Sequence, residues 1–438
     1  MKRRRKLTGV GTFIILVSII LVLFSALFIF VKCSDNNDVY NKEENFPDIQ
    51  PDELNEPDEP DEPDEPDEPV VPDEPEIPKE PLETRLSFVA FGDNLIHSSI
   101  IEDAQRLATE AGREEEYYFD PMYENFADII SSADIAFINQ ETPIAGPDFP
   151  KAGYPNFNTP DEMGDTLIRL GFDVINTATN HMLDCRGKGL LYHADWWESK
   201  NELGVIQVGS YKNKADYENI RVVEKSGIKI AFLAYTDWTN GMTAGSAYPD
   251  IYIPLPSEEE LSRQVKRAKE IADLVFVSMH WGDEDSFTPN ITQRTHAQAL
   301  VDAGADVIIG THPHVVQEMK WKENADGHKT LIAYSLGNFI STMYYPWNMF
   351  GGYLSLDIVK NENGVFIENP LLNPTMCHYS LKRRELKLYT LDNYSQELYE
   401  THGTTLKSSA YSYDKIIDKI KSVISEEFLP TYYINYGK

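Results

Sequence analysis

Cysteine is scarce: Cys33, Cys185 and Cys377 are the three in 438 residues. Thiols this few and this far apart exclude a disulfide framework; Cys185 and Cys377 can in principle pair, but buried thiols are the default. Positive charge is the second shortage. Lys and Arg total 39 against 71 Asp and Glu, a formal charge of -32, and nothing in the chain forms the basic patch that nucleic acid requires. A nucleic-acid partner is therefore excluded.

The charge is unevenly placed. A basic start, Met1-Lys-Arg-Arg-Arg-Lys6, precedes residues 10–31, a run of 22 without a charge. At ~1.5 Å per residue such a run spans about 33 Å as a helix, close to the hydrocarbon thickness of a bilayer. It lacks the short apolar core and small-x-small cleavage site of a secretory signal, ending instead in Phe30-Val31-Lys32-Cys33. The expectation is an uncleaved signal anchor: a single pass through the cell membrane, the basic end cytoplasmic and the bulk extracellular. A cleaved signal peptide is the alternative, while the bulky residues before Cys33 do not suit lipoprotein processing.

Apolar residues are then thin from 34 to 84, where 21 Asp or Glu and 11 Pro stand beside two Lys, with tandem Asp-Glu-Pro units over 58–69. Such a segment cannot bury a core. Proline favours polyproline II, like charges extend it further, and about 50 residues at ~3.1 Å reach on the order of 150 Å. A disordered acidic spacer is the reading preferred over an acidic binding tail. The chain thus divides into a basic tail and anchor (1–33), a linker (34–84), a main domain (85–345) and a C-terminal hairpin and helix packed on it (346–438).

In the folded part, short β-branched runs predict strands at 86–91, 135–139, 174–177, 205–208, 230–235, 274–278, 307–309 and 331–334. Helix-period stretches at 161–170, 257–271 and 293–303 fall between several of them, which argues an α/β layered fold. Beyond 346, segments 352–360 and 364–368 predict a hairpin around Asn361-Glu-Asn-Gly364. Residues 412–428 predict an amphipathic helix with Ile416, Ile417, Ile420, Val423 and Ile424 on one face.

Five strands end in residues that bind metals or move protons. They run into Gly92-Asp93-Asn-Leu-Ile-His97, Asn139-Gln-Glu141, Thr179-Asn180-His181-Met-Leu-Asp184, His280-Trp-Gly-Asp-Glu284 and His312-Pro-His314. In the last, an extended H-x-H would send both imidazoles to one face, with Pro313 stiffening the backbone between them. Carboxylates, imidazoles and an amide oxygen suit borderline divalent ions such as Zn, Mn or Fe. In open α/β sheets, ligands gather at the carboxyl ends of strands.

These motifs, with Gly310-Thr-His-Pro-His314-Val-Val-Gln317 and Tyr334-Ser-Leu-Gly-Asn338-Phe, resemble the CapA family of capsule (poly-γ-glutamate) biosynthesis proteins over residues 85–340. That family's domain is similar to the calcineurin-like metallophosphoesterases. Gln140, Thr179 and Asp285 depart from its usual residues, and the first strand lacks Asp-x-His, leaving His97 to reach in from the following turn. The resemblance implies an α/β layered β-sandwich flanked by helices. It also implies two divalent ions: one on Asp93 and His314, Glu141 bridging to a second on Asn180, His280 and His312. His181, steadied by Asp184, would be the proton donor. Glu284, Asn338 and His97 are candidate substrate contacts; for Glu284 a ligand role or a solvated acidic turn is equally open, and for Ser335–Asn338 a structural turn lining the site is the preferred reading. Two function classes stay open: a metal-dependent phosphoesterase or amide hydrolase on a cell-surface polymer, and a non-catalytic export or assembly factor for an anionic polymer, working beside polyglutamate synthase or export components.

Overall fold

The computed structural model describes residues 83–404 and 412–437. The apolar run 10–31 and nearly all of the 34–84 spacer lie outside them. Among the described residues no helix is long and apolar enough to cross a membrane.

The strands are β1 (Thr84–Asn94), β2 (Ile135–Asn139), β3 (Val174–Asn176), β4 (Ile206–Val208), β5 (Arg221–Lys225), β6 (Ile228–Thr236) and β7 (Leu274–His280). They continue with β8 (Val307–Thr311), β9 (Met319–Glu323), β10 (Lys329–Ala333), β11 (Asn338–Ile340), β12 (Phe350–Asn361), β13 (Gly364–His378) and β14 (Lys387–Thr390). They form two sheets. One runs β14-β13-β12-β1-β2-β3-β4 with β11 also paired to β1; the other runs β5-β6-β7-β8-β10-β9. Strands β1 to β4 are mutually parallel, as are β6, β7, β8 and β10. Each sheet therefore brings several carboxyl ends to one edge.

Alternation along the second sheet shows how the layers form. Ile230, Phe232 and Ala234 of β6, with Phe276 of β7 and Ile309 of β8, join the core shared with the first sheet. Their neighbours Ala231, Leu233, Tyr235, Val277 and Ile308 belong to a second core beneath helices. Period-two alternation has sent successive side chains to opposite faces, and both faces are apolar because both are covered. Phe88 meets Phe276 at 5.0 Å and Phe137 meets Phe232 at 6.4 Å between ring centroids, locking sheet to sheet. The result is the mixed α/β layered sandwich with flanking helices that the sequence predicts.

The main helices are α1 (Ser98–Glu110), α2 (Asp161–Leu170), α3 (Arg186–Glu198), α4 (Glu258–Lys269), α5 (Ile291–Ala303) and α6 (Tyr413–Val423). Their ends are encoded locally. Asn290 and Gln293 close a capping box on α5 and Gly304 ends it in the left-handed region. Ser257 caps α4, with Glu258, Glu259 and Glu260 at its positive end and Lys266, Arg267 and Lys269 at its negative end.

The segment after residue 345 is built into the first sheet. β12 pairs antiparallel with β1 from Thr84↔Lys360 to Phe91↔Tyr353. The expected helix over 412–428 ends earlier, at Val423: Ile424 turns extended (φ -105°, ψ 126°) and a short 3₁₀ turn, Glu426–Phe428, follows. Ile416, Ile417, Ile420 and Ile424 are nevertheless buried as the stripe predicts, with Val423 partly so. Cys185 and Cys377 are free, buried thiols whose pKa burial pushes up, to about 11 and about 12.

Candidate metal centre

The first sheet contributes three tips. At the end of β1 the register shifts between Phe91 and Asp93, where Gly92 lies so close to the next turn that a Cβ there would stand 2.0 Å from the Gly337 carbonyl oxygen. This turns Asp93 inward, fully buried. Its Oδ1 accepts from Asn139 Nδ2 (2.7 Å), its Oδ2 lies 3.0 Å from His314 Nδ1, and the His312 amide sits 3.3 Å from both oxygens.

Glu141 follows β2 and is held by its backbone, its amide donating to Asn94 O (3.3 Å) and its carbonyl accepting from Thr179 Oγ1 (2.8 Å). Gln140 ties the same turn together through Asn94 (2.6 Å) and Thr142 (2.7 Å). Two of the departures from the family pattern thus serve as backbone ties. Glu141's side chain has no exposure, and neither carboxylate oxygen has a hydrogen-bond partner.

Beyond β3, residues 179–185 form turns, and α3 starts only at Arg186. The His181–Asp184 pair therefore arises from a tight turn ahead of the helix. Asp184 N donates to His181 O (3.0 Å), and Asp184 Oδ2 lies 2.8 Å from His181 Nδ1 while also accepting from Phe157 N (2.8 Å).

The second sheet supplies the imidazoles. His280 ends β7, its Nδ1 3.0 Å from Thr311 Oγ1 and its Nε2 3.0 Å from Asn180 Oδ1 and 3.2 Å from His312 Nδ1. A proton on Nδ1 donated to Thr311 leaves the Nε2 lone pair facing the cluster. Contrary to the extended His-Pro-His expected from the sequence, the backbone leaves the extended region at both histidines. β8 stops at Thr311, and His312 (φ 95°) and His314 (φ 56°) both lie in the left-handed region. The reason is that the His312 amide leaves the sheet ladder for the Asp93 carboxylate. For a non-glycine residue such a backbone is strained and persists only where the surroundings over-determine it.

Three ligand groups result, each with its donor atoms within 4.8 Å of one another: Asp93–Glu141–His314, Glu141–His280–His312 and Glu284–His312–His314. Glu141 belongs to the first two. Burial drives its pKa well up, opposed by the nearby His314 charge. Burial holds His280 and His312 well below the usual imidazole range, so both are neutral and have lone pairs to give. Burial also works against a charge on His314, but Glu141 and Asp93 outweigh it and raise that imidazole to about 10. A buried carboxylate with no donor is costly unless a cation meets it. The N/O donor set is that of a borderline divalent ion, so these residues fit one.

The remaining predicted residues fall around the cluster. His97 is half-buried, its Nδ1 accepting from Thr342 N (3.3 Å); desolvation, followed by the charges of His314, Arg383 and His181, lowers its pKa to about 3. It stands beside the ligand groups and belongs to none of them. Asn338 is bonded internally at both ends of its amide, to His314 Nδ1 (3.0 Å) and to Ser341 Oγ (3.1 Å) and Asn348 O (3.0 Å), which makes it an orienting residue for His314. Glu284 is exposed at the rim. Three neighbours went unread in the sequence. The edge-on Trp238 ring lies 4.4 Å from His312, Asn240 Nδ2 lies 3.4 Å from His181 Nδ1, and Phe157 packs 4.6 Å from His181. The tip of β6, Thr236-Asp-Trp-Thr-Asn240, carried the same strand-end signal as the other five.

Strands of two sheets that end together on buried imidazoles and carboxylates define an α/β protein organised around a metal-competent centre. The family described as "Bacterial capsule synthesis protein PGA_cap" matches residues 87–343, more than half of the chain, and the chain belongs to that family. It is 31% identical over 268 residues to the capsule biosynthesis protein CapA of Bacillus anthracis, covering 58% of this chain and 60% of that relative, so less than two thirds of the relative's length is spanned. It is 28% identical over 315 residues to the PGA biosynthesis protein CapA of Bacillus subtilis (strain 168), covering 69% and 78%. Among solved structures it is similar to a phosphatase of Mycoplasma pneumoniae, with 12% identity, a TM-score of 0.39 and coverage of 67% of this chain and 94% of that one. A second is the NAD nucleotidase of Haemophilus influenzae, with 11% identity, a TM-score of 0.39 and coverage of 78% and 60%.

Proposed function

We propose that this chain is a membrane-anchored, extracellular protein acting in the biosynthesis or export of a capsule polymer of the poly-γ-glutamate type. Its buried cluster would be a calcineurin-like, hydrolase-type centre for divalent metal. The names of the two CapA relatives support the polymer, and the basic start with the apolar run 10–31 supports the anchor. One observation carries the metal reading: both Glu141 oxygens are buried without a hydrogen-bond partner, with the nearest imidazole nitrogens, His280 Nε2 and His314 Nε2, standing off at 3.8 Å from Oε1. Two ions, of Mn, Zn or Fe, would be held by Asp93, Glu141 and His314 on one side and by Glu141, Asn180, His280 and His312 on the other. When bound, such ions supply Lewis acidity toward a phosphoryl or carbonyl group.

The chain's own residues do the rest. Thr311 and Asn338 fix the rings of His280 and His314, and Asp93 takes the His314 Nδ1 proton in a hydrogen bond so that Nε2 faces Glu141. Asp184 accepts from His181 Nδ1, which leaves Nε2 as the atom to hand a proton to a leaving group. Phe157 keeps that ring from turning. The dyad favours a second reading, a phosphoesterase or amidase acting on another surface polymer.

Elemental analysis of the purified chain after reconstitution with Mn, Zn and Fe should find one or two ions, and their absence would end the metal reading. His181→Ala should leave metal content unchanged and lower hydrolysis of a phosphodiester and amide panel by about 10²–10⁴-fold. If the metal-loaded wild type hydrolyses nothing, the role is export or assembly. Protease added to intact wall-stripped cells should remove the folded domain; a protected domain refutes the outward topology.

A further inference from the structure

The chain is short of cations, and about half of those among the described residues are tied to carboxylates, Arg85, Arg106, Arg169, Lys200, Arg221, Arg263 and Arg267 among them. Lys382-Arg383-Arg384 is different. Three consecutive cations make no ion pair with any carboxylate among the described residues, although the chain carries a formal charge of -32 and Glu385 is the next residue. Lys382 and Arg384 are exposed. Arg383 is half-buried, with its guanidinium 3.4 Å from the centre of the Tyr344 ring and its Nε buried without a hydrogen-bond partner.

The turn that carries them is closed by backbone hydrogen bonds and tied to its neighbour. Ser380 N donates to Arg384 O and Arg383 N to Ser380 O, both at 2.8 Å, and hold Arg383 at φ 54°. The adjoining Tyr379 hydroxyl donates to Met343 O (2.7 Å), just before Tyr344. That segment leads straight into the centre. Thr342 N donates to His97 Nδ1 (3.3 Å), and Asn338, at the segment's start, holds His314. Arg383 is close enough to His97 for its charge to weigh against protonation of that ring.

We propose that the 380–384 turn is the docking arm of the centre, where Lys382, Arg383 and Arg384 receive successive carboxylates of a polyanionic chain and lead it past His97 toward the metal ligands. A planar guanidinium stacked on a tyrosine is pre-organised to take a carboxylate through two parallel N–H donors. A fixed cluster of unpaired cations also offsets, at one place, the repulsion that the acidic surface exerts on a polyanion. The proposal rests on the polymer reading above and names the residues by which such a polymer is held.

The test uses the full chain loaded with Mn and a fluorescent poly-γ-glutamate of defined length, titrated at low and at raised salt. The variant Lys382→Gln/Arg383→Gln/Arg384→Gln should bind about tenfold more weakly or worse at low salt, with a flatter salt dependence. Its metal content and melting temperature should be those of wild type. The double variant Lys382→Gln/Arg384→Gln, which touches only exposed side chains, should show a smaller loss in the same direction. Unchanged affinity in the triple variant overturns the docking arm. So does a wild type that takes up metal and binds no polyglutamate, or one that binds inorganic polyphosphate of equal charge more tightly. A wild type that takes up no metal refutes the reading of the centre instead, and a loss of polymer affinity in the triple variant measured in that state still supports the arm.

Discussion

At the scale of single residues, the cluster places function against stability. Glu141 is a buried carboxylate without a hydrogen-bond donor, and its charge is what most raises the neighbouring His314. In the metal-free protein this arrangement is destabilising, because burial penalises its charged form and nothing but His314 compensates. Glu141→Gln keeps the shape and removes the titrating acid. It should therefore lower metal affinity by at least about 10-fold while leaving the metal-free protein as stable as wild type or more stable by ~1 kcal/mol. Isothermal titration with Mn and thermal melts with and without chelator check both halves; a metal-free melting temperature that falls by several degrees contradicts the account. Most of these residues were legible from the sequence because each terminates a β-branched run. What could not be read was which atom each presents. That Asn338 orients His314, and that Asp93 accepts from His314, depends on contacts between segments far apart in the chain.

Among elements, the tip of β8 is the most tightly specified. Gly310 passes so close to the following turn that a Cβ would fall 1.9 Å from Tyr334 O, a backbone atom that cannot swing aside. Directly beyond it stand the two left-handed histidines. Gly310→Ala should push β8 away from β10, cost about 1–3 kcal/mol, and weaken metal binding because His312 and His314 move with the tip. Chemical denaturation and metal titration on the variant give the two numbers, and a full loss of stability with unchanged metal affinity would show the tip to be independent of the turn. The sequence located β2 and α2 to the residue because apolar period and flanking turn residues agree there: 135–139 is bounded by polar residues and α2 ends at Gly171. It misjudged the backbone of the histidine pair because H-x-H alternation is compatible with extended chain and with a strained turn alike. It also missed β5 and β9, edge strands whose Arg221-Val-Val-Glu-Lys225 and Met319-Lys-Trp-Lys-Glu323 are too polar to stand out.

Over the whole molecule, the response to acid sets two effects against each other. Protonating carboxylates relieves the self-repulsion of a chain at -32, which favours the folded state as pH falls. Of the 71 acidic residues, however, 21 lie in the 34–84 segment, far from the folded core in sequence, and exposed charges are screened by salt. Against this stand three histidines outside the metal centre. His193 accepts from Ile144 N through Nδ1 (2.9 Å), His402 accepts from Thr404 N (3.0 Å), and His378 faces His402 edge-on at 5.2 Å between ring centroids. Burial lowers each of the three to about 4, with the His402 charge adding to the effect on His378. In the unfolded chain they titrate near 6.5. The sign follows: above pH 6.5 neither state binds the protons, between 6.5 and 4 only the unfolded state does, and stability is lost across that window as pH falls. At about 1.4 kcal/mol per unit of difference, three such groups outweigh a screened surface term and amount to several kcal/mol. Denaturant unfolding of the chelated protein should show stability falling as pH drops from about 6.5 to 4.5, a window in which His314, raised to about 10, is protonated in both states and adds no slope. His193→Gln, removing one of the three, should make the fall shallower. Stability that rises as pH drops below 6.5 would mean that the acidic surface, and not the buried imidazoles, governs the fold.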